Sequence, residues 1–430
     1  MRRVLERFAA LRQAHFYIAL AAVVLGLTYS FFIYPRLAEP FDVGLDPDNY
    51  GKLGYGLLKT GTLSYYPDTE PSLARGPIYP LFLGLSLKVS GELYPQSVQL
   101  FQSILFGLTC LLVYWTATTL WGRNIALLAS FVCAIHPFLI WYTARIWIET
   151  LASFFFSALI ASTLFLGMKP GIPGAILVGV ILGLSILCKA TFLVFLVVLP
   201  IGLVFAMEKR TGWRLALLVG LTASILVLPW TIRNWNLTGK IIPVHLLAGY
   251  NLQRGDSFVE HYRKAPLSHS ELWDMSIGEI DELQSSLLPR LRRWEQEMII
   301  DSVFMHRSLG RYLEHPEFLL KKVVLNGVMF WTLGGTPPKS VFISILQIPL
   351  VFTFVIAALR MFRLQRGFTI QRMHILLVIT YYIIHLPFFA VARFSVVLVP
   401  TMILYGASLL STDAESGDRF ALDSHDGGLS

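Results

Sequence analysis

The chain has 430 residues, 55% of them hydrophobic and only 14% charged, with a mean hydropathy of +0.62. That apolar content far exceeds what one soluble core needs and excludes a single water-soluble globular domain. The net charge of +8 is gathered in the short segments between apolar runs, so its placement says more than its size.

Uncharged stretches of about 20 residues, the length that crosses ~30 Å of hydrocarbon, recur along the chain. Ten spans are expected: Gln13 to Tyr34, Val98 to Leu120, Asn124 to Tyr142, Thr150 to Gly167, Gly171 to Cys188, Thr191 to Met207, Leu215 to Ile232, Val341 to Leu359, Met373 to Ala392 and Phe394 to Ser411. The first ends in Phe31, Phe32, Tyr34 and Pro35 instead of a small-residue cleavage site, so it is expected to remain as an anchor.

Arg2, Arg3, Arg7 and Arg12 precede span one, and Arg123, Lys169, Lys209, Arg210, Arg214, Arg360, Arg363, Arg366 and Arg372 fall in alternate short loops. The positive-inside rule makes those loops and the N-terminus cytoplasmic. These basic residues set topology and require no nucleic-acid partner. The same parity keeps Val323 to Pro338 on the outer side as an interfacial or re-entrant helix. Cys110, Cys133 and Cys188 lie in or at the ends of apolar spans and fit neither a CxxC site nor a disulfide framework.

Two outer loops carry most of the remaining sequence, 35–96 and 233–338. In the first, Tyr50 to Leu58 and Ile78 to Val89 read as short surface helices, the latter introduced by Pro77. In the second, Ser270 to Leu288 and Arg290 to Leu313 read as a polar helical pair closed by "GTPPKS". Residues 1–411 are thus expected as one transmembrane domain and 412–430 as a disordered cytoplasmic tail.

GxxxxGK[ST], a strand-turn-helix GxGxxG, GxSxG and HExxH are all absent. Asp46-Pro47-Asp48 spells the DxD that soluble nucleotide-sugar transferases use for a metal, but a short loop beside a membrane does not supply the α/β domain that motif needs. His261 and His269, near Asp256 and Glu260, match no common zinc spacing. What remains is a set of ionisable residues at the outer ends of spans: Asp46, Asp48, Arg75, Arg145, Glu149, Lys189, Arg233 and Arg393. Charges at a bilayer boundary are expensive and face a cavity or a partner unless they snorkel to the headgroups. The snorkelling alternative is weakest for Lys189 and Arg393, which have little loop around them. A carboxylate among several cations suits displacement of a lipid-linked phosphate: the acid orients or deprotonates an attacking hydroxyl, and the cations stabilise the leaving phosphate.

In order along the chain, "DPDNYGKLGYGLLKTGTLSY", "RGPIYPLFLGL", "HPFLIWYTARIWIETL", "GLSILCKATFLVFLVVLP", "LPWTIRNWNLTGK" and "ARFSVVLVP" resemble the signature segments of bacterial GT-C membrane glycosyltransferases. The nearest likeness is to the glycosyltransferase family 39 type, which includes protein O-mannosyltransferases and lipid A aminoarabinose transferases. The resemblance implies an all-α polytopic bundle of about ten transmembrane helices with extracytoplasmic surface helices. It also implies a polyprenyl-phosphate (undecaprenyl-phosphate) sugar donor, inversion at the anomeric carbon, and a lipid, glycan or protein acceptor. The expected setting is a bacterial plasma membrane with the site on the periplasmic face.

Residue by residue, the family's catalytic acid falls on Asp46, with Asp48 as the rival placement, and its donor-phosphate cations fall on Lys189, Arg393, Arg233 and Arg75. Arg233 alternatively anchors its span. Tyr50, Arg145 and Glu149 border the implied substrate cavity, Glu149 either touching substrate or pairing Arg145. Trp141, Tyr142, Trp147, Trp230 and Trp235 read as an interfacial aromatic belt. The DxD-like pair leaves open a divalent cation, Mg, Mn or Ca. Two rival functions stay open beside the glycosyltransferase: a polyprenyl-linked glycan transporter or flippase, and an oligosaccharide ligase or polymerase using a polyprenyl-diphosphate donor. Against transport, the spans hold few ionisable residues and show no pseudo-repeat halves.

Overall fold

The computed structural model describes residues 13–38, 46, 48–66, 69–90, 95–264, 278, 282, 285–286, 291–364 and 369–411. The tail 412–430, the arginines before residue 13, His269 and most of the expected Ser270 to Leu288 helix lie outside the described residues. Among the described residues the regular structure is entirely helical, as an apolar chain in lipid requires, because each helix satisfies its own backbone hydrogen bonds.

Among the described residues, six helices are long and apolar enough to cross a membrane. They are α1 (Ala14–Thr28, continued through a π turn to Arg36), α4 (Gln96–Trp121), α7 (Glu149–Met168), α10 (Lys209–Thr238), α14 (Pro337–Leu364) and the stretch Ala392–Leu410. A seventh candidate is a bent pair, α5 (Arg123–Ala134) and α6 (Pro137–Ala144), which meet at 48°. The sequence reads that stretch as one continuous span. Pro137 lacks an N–H and disfavours helical backbone at His136, so α5 stops before it and α6 starts anew. α8 (Ile172–Cys188) and the stretch Ala190–Ala206, which contains α9 (Phe195–Ala206), are shorter apolar helices. The expected ninth span ends early, at His385 of α15 (Ile370–His385), two residues ahead of Pro387.

α7 is the hub, with 78% of its most apolar window buried. It packs against α4, α8 and the 3-10 turn Ala392–Leu398 that leads into α16 (Val399–Ala407). Ser153 of α7 donates to the Val396 carbonyl at 3.1 Å and so pins that turn.

The surface helices α2 (Tyr50–Thr60) and α3 (Ile78–Ser90) cross closely at Gly54 and Gly84, where an added Cβ would press on the backbone opposite. In the second outer segment α11 (Ala248–Lys264), α12 (Arg293–Glu314) and α13 (Pro316–Thr332) are tied by a buried ionic knot. Lys322 Nζ donates to Asp256 at 2.6 Å, to the Tyr312 hydroxyl at 2.8 Å and to the Leu252 carbonyl at 2.8 Å, and both charged side chains are fully buried. Burial lowers the Lys322 pKa to about 8 despite the pull of Asp256. Asn326 of α13 then donates to the Leu386 and Phe388 carbonyls, holding the loop that leads to Arg393. α13 begins seven residues before the expected Val323 and falls outside the set of helices apolar and long enough to cross.

Removing one partner of a buried ion pair strands the other charge, whereas replacing both with apolar residues of similar volume is often neutral. Asp256→Ala is therefore expected to destabilise by about 3–5 kcal/mol, and Lys322→Met with Asp256→Leu to recover most of that loss. Thermal unfolding in detergent checks it. A double variant no more stable than the single would show that the knot is more than a charge pair.

Candidate active site

Asn49 takes a left-handed backbone, φ 55°, directly after the two aspartates of the first outer loop and just before α2. The two aspartates make different contacts. Asp46 caps α2, its two oxygens accepting the Tyr50 N–H at 2.9 Å and the Gly51 N–H at 2.6 Å. Asp48 meets two guanidinium groups: Oδ1 accepts from Arg75 Nη2 at 3.2 Å, and Oδ2 lies 2.8 Å from Arg393 Nη2.

Arg393 continues the chain of charges. Its Nε donates to Oε1 of Glu149 at 2.8 Å, and the same oxygen lies 3.7 Å from Lys189 Nζ. Glu149 is fully buried. Five of the charges expected from the sequence, brought from five separate regions of the chain, thus form one linked cluster of three cations and two acids.

Local structure places each member. Lys189 is the junction between α8 and the 3-10 turn Ala190–Val194, and Arg393 opens the turn Ala392–Leu398, so both leave the backbone where a helix breaks. Arg75 follows a segment clamped by Glu297, which accepts from Ser72 Oγ at 2.8 Å and from the Leu73 N–H at 2.6 Å. Gly76 lies against the Leu187 carbonyl so closely that any Cβ would collide with it. This contact keeps Arg75 and Lys189 in one neighbourhood.

The electrostatics follow from burial and pairing. Burial would raise the Asp48 pKa, but Arg393 and Arg75 outweigh it and hold the carboxyl at about 2. Lys189 is pushed below the usual lysine range by burial, with Glu149 pulling the other way. The Tyr50 hydroxyl is pushed up, mainly by burial, and the Tyr50 ring has the Arg75 guanidinium 5.2 Å from its centroid.

Other expected residues are placed differently. Arg233 donates to the Ser72 carbonyl at 3.2 Å and to Asn234 at 2.9 Å, so it grips the segment that presents Arg75. Arg145 stacks on the Trp147 ring at 3.9 Å, and Arg393 stacks on the same ring at 4.0 Å. Of the residues assigned to the aromatic belt, Trp147 therefore belongs to the site, and Tyr142 is buried. Trp235 is 57% exposed.

Sequence reasoning overlooked three contributors. Arg254 of α11 stacks on Phe389 at 4.3 Å and exerts a charge effect on Asp48. Gln99 and Gln102 of α4 donate to the carbonyls of Thr143, Ala144 and Arg145, and fix the turn that carries Trp147. Two glutamines inside an apolar span were the available signal.

Among the described residues no group of three or more His, Cys, Asp or Glu is placed to hold a metal ion. The DxD-like pair does not fit one either. Asp46 is engaged by backbone N–H groups and Asp48 by two guanidinium groups, which would repel a divalent cation.

Residues 74–232 match the family model of dolichyl-phosphate-mannose-protein mannosyltransferases. The archaeal oligosaccharyltransferase AglB from Archaeoglobus fulgidus, in complex with an inhibitory peptide and a dolichol-phosphate, shares the fold with a TM-score of 0.55 at 12% identity, over 97% of this chain and 52% of that one. The A. fulgidus oligosaccharyltransferase in complex with Zn and sulfate superposes with a TM-score of 0.51 at 13% identity, over 91% of this chain and 48% of that one. ArnT from Cupriavidus metallidurans, bound to undecaprenyl phosphate, gives a looser likeness, TM-score 0.41 at 13% identity, over 92% of this chain and 77% of that one. The chain spans about half the length of the oligosaccharyltransferases it matches. No curated protein matches it. The matched segment is thus similar to a mannosyltransferase family, and the fold over most of the chain is that of the oligosaccharyltransferases.

Proposed function

We propose that this chain is an inverting glycosyltransferase that moves a sugar from a polyprenyl-phosphate donor to an acceptor hydroxyl. The observation that carries the reading is the linkage of Asp48 to Arg393, Glu149 and Lys189 within one cluster, beside Arg75. Its surplus of cations suits an anionic headgroup. The structural likeness to a transferase solved with dolichol-phosphate supports the same donor class.

In the proposed step Asp48 accepts the proton of the acceptor hydroxyl. The acceptor oxygen forms a bond to the anomeric carbon from the face opposite the phosphate. The carbon–oxygen bond to phosphate breaks, and its electron pair stays on the departing polyprenyl phosphate, whose added negative charge Lys189, Arg393 and Arg75 stabilise. Asp46 serves as the cap of α2, and Arg233 positions Arg75. The active face is extracytoplasmic and the N-terminus cytoplasmic in a bacterial plasma membrane, with residues 1–411 as one domain.

Binding tests the reading directly. The protein in nanodiscs is expected to bind polyprenyl monophosphate saturably, and to release it when Lys189 and Arg393 are both neutralised. Absence of saturable binding would remove the proposal. Labelling from both sides separates it from transport, since a transporter would expose a cysteine at position 189 alternately to each face.

A further inference from the structure

We propose that Arg393 is shared between Asp48 and the phosphate of the donor, so that donor binding uncaps the carboxylate and transfer follows a donor-first order. This rests on the glycosyltransferase reading. The argument begins with the division of labour at Asp48. Oδ1 is held by Arg75, and Oδ2 lies 2.8 Å from Arg393 Nη2. A carboxylate with both oxygens against guanidinium groups is a poor proton acceptor, because its lone pairs are engaged and its charge is neutralised.

Arg393 has separate attachments for its separate nitrogens. Its Nε is anchored on Glu149 at 2.8 Å, while its Cζ lies over the Trp147 ring, 4.0 Å from the centroid. A rotation of the guanidinium about the Nε anchor would carry Nη2 away from Asp48 while the group stays over the indole. Lys189, which shares the same Glu149 oxygen, marks where a phosphate would gain a second cation. A phosphate between Lys189 and Arg393 therefore competes with Asp48 for Nη2. When it wins, Oδ2 is released and Oδ1 stays on Arg75, leaving an oriented base with one oxygen free for an acceptor hydroxyl. An acceptor arriving first would meet a capped acid.

Competition for one guanidinium makes a prediction opposite to simple substrate contact: deleting the Asp48 charge strengthens lipid binding. Asp48→Asn and Asp48→Ser, checked by gel filtration and thermal unfolding, are expected to bind polyprenyl monophosphate in nanodiscs about tenfold more tightly than wild type. Asp46→Asn removes the same charge from the same loop without uncapping anything and is expected to bind as wild type does. Equal or weaker binding by both Asp48 variants would overturn the inference, as would an equal gain in Asp46→Asn, which would reduce the effect to net charge. If wild type fails to bind polyprenyl monophosphate at all, the functional reading itself fails, and the inference with it.

Discussion

Asp48→Asn is expected to lower transfer from a polyprenyl-phosphate sugar by about 10²–10⁴-fold, the usual loss when a positioned general base is removed. Asparagine keeps the shape and still accepts a hydrogen bond from Arg75, so folding should survive. The parallel variant, Asp46→Asn, is expected to retain most turnover, because asparagine caps a helix nearly as well as aspartate. Turnover measured with both variants decides between the two acids of the first outer loop. If Asp46→Asn loses activity and Asp48→Asn keeps it, the base assignment is reversed. Protonation follows the same logic. With its folded pKa held at about 2, below the ordinary 3.8, Asp48 contributes stability that is complete above the ordinary value and is lost as pH falls through about 2. An acid limb in the rate profile near neutrality would then belong to another group.

Arg393→Lys is expected to reduce turnover about 10²-fold although the charge is kept. An ammonium cannot address Glu149 through one nitrogen and Asp48 through another while it also sits over an indole, and the present geometry uses all three contacts. Arg393→Ala should in addition lower stability by about 3 kcal/mol, since the buried Glu149 would keep only the longer contact to Lys189. Steady-state turnover alongside thermal unfolding separates the two effects. A lysine variant with wild-type turnover would show that point charge alone suffices.

The helical bundle was legible because lipid demands long apolar runs and the chain supplies them. Its breaks were less so. Pro137 and Pro387 lie inside runs that hydropathy reads as continuous, and only local backbone chemistry marks where the helix stops. The outer-rim charges were legible as a class, since an ionisable residue between two apolar spans must do something. Their pairings were not. Glu149 has Arg145 four residues away in sequence, yet binds Arg393, 244 residues distant. The different contacts of Asp46 and Asp48, backbone N–H groups for one and guanidinium groups for the other, are also not revealed by their two-residue spacing. Trp147 reads as part of an interfacial aromatic belt because composition reports where such rings are common, not which guanidinium lies against them. Arg254 lies in α11, which no motif in the sequence singles out.

Glu149 is the first residue of α7, and that position has an electrical meaning. The aligned peptide units of a helix place roughly half a positive elementary charge at its N-terminus. Glu149 therefore draws part of its compensation from the backbone, which cannot be displaced. That fixed share of compensation stays in place whether or not a phosphate occupies the neighbouring cations, so the carboxylate remains a steady anchor for Arg393.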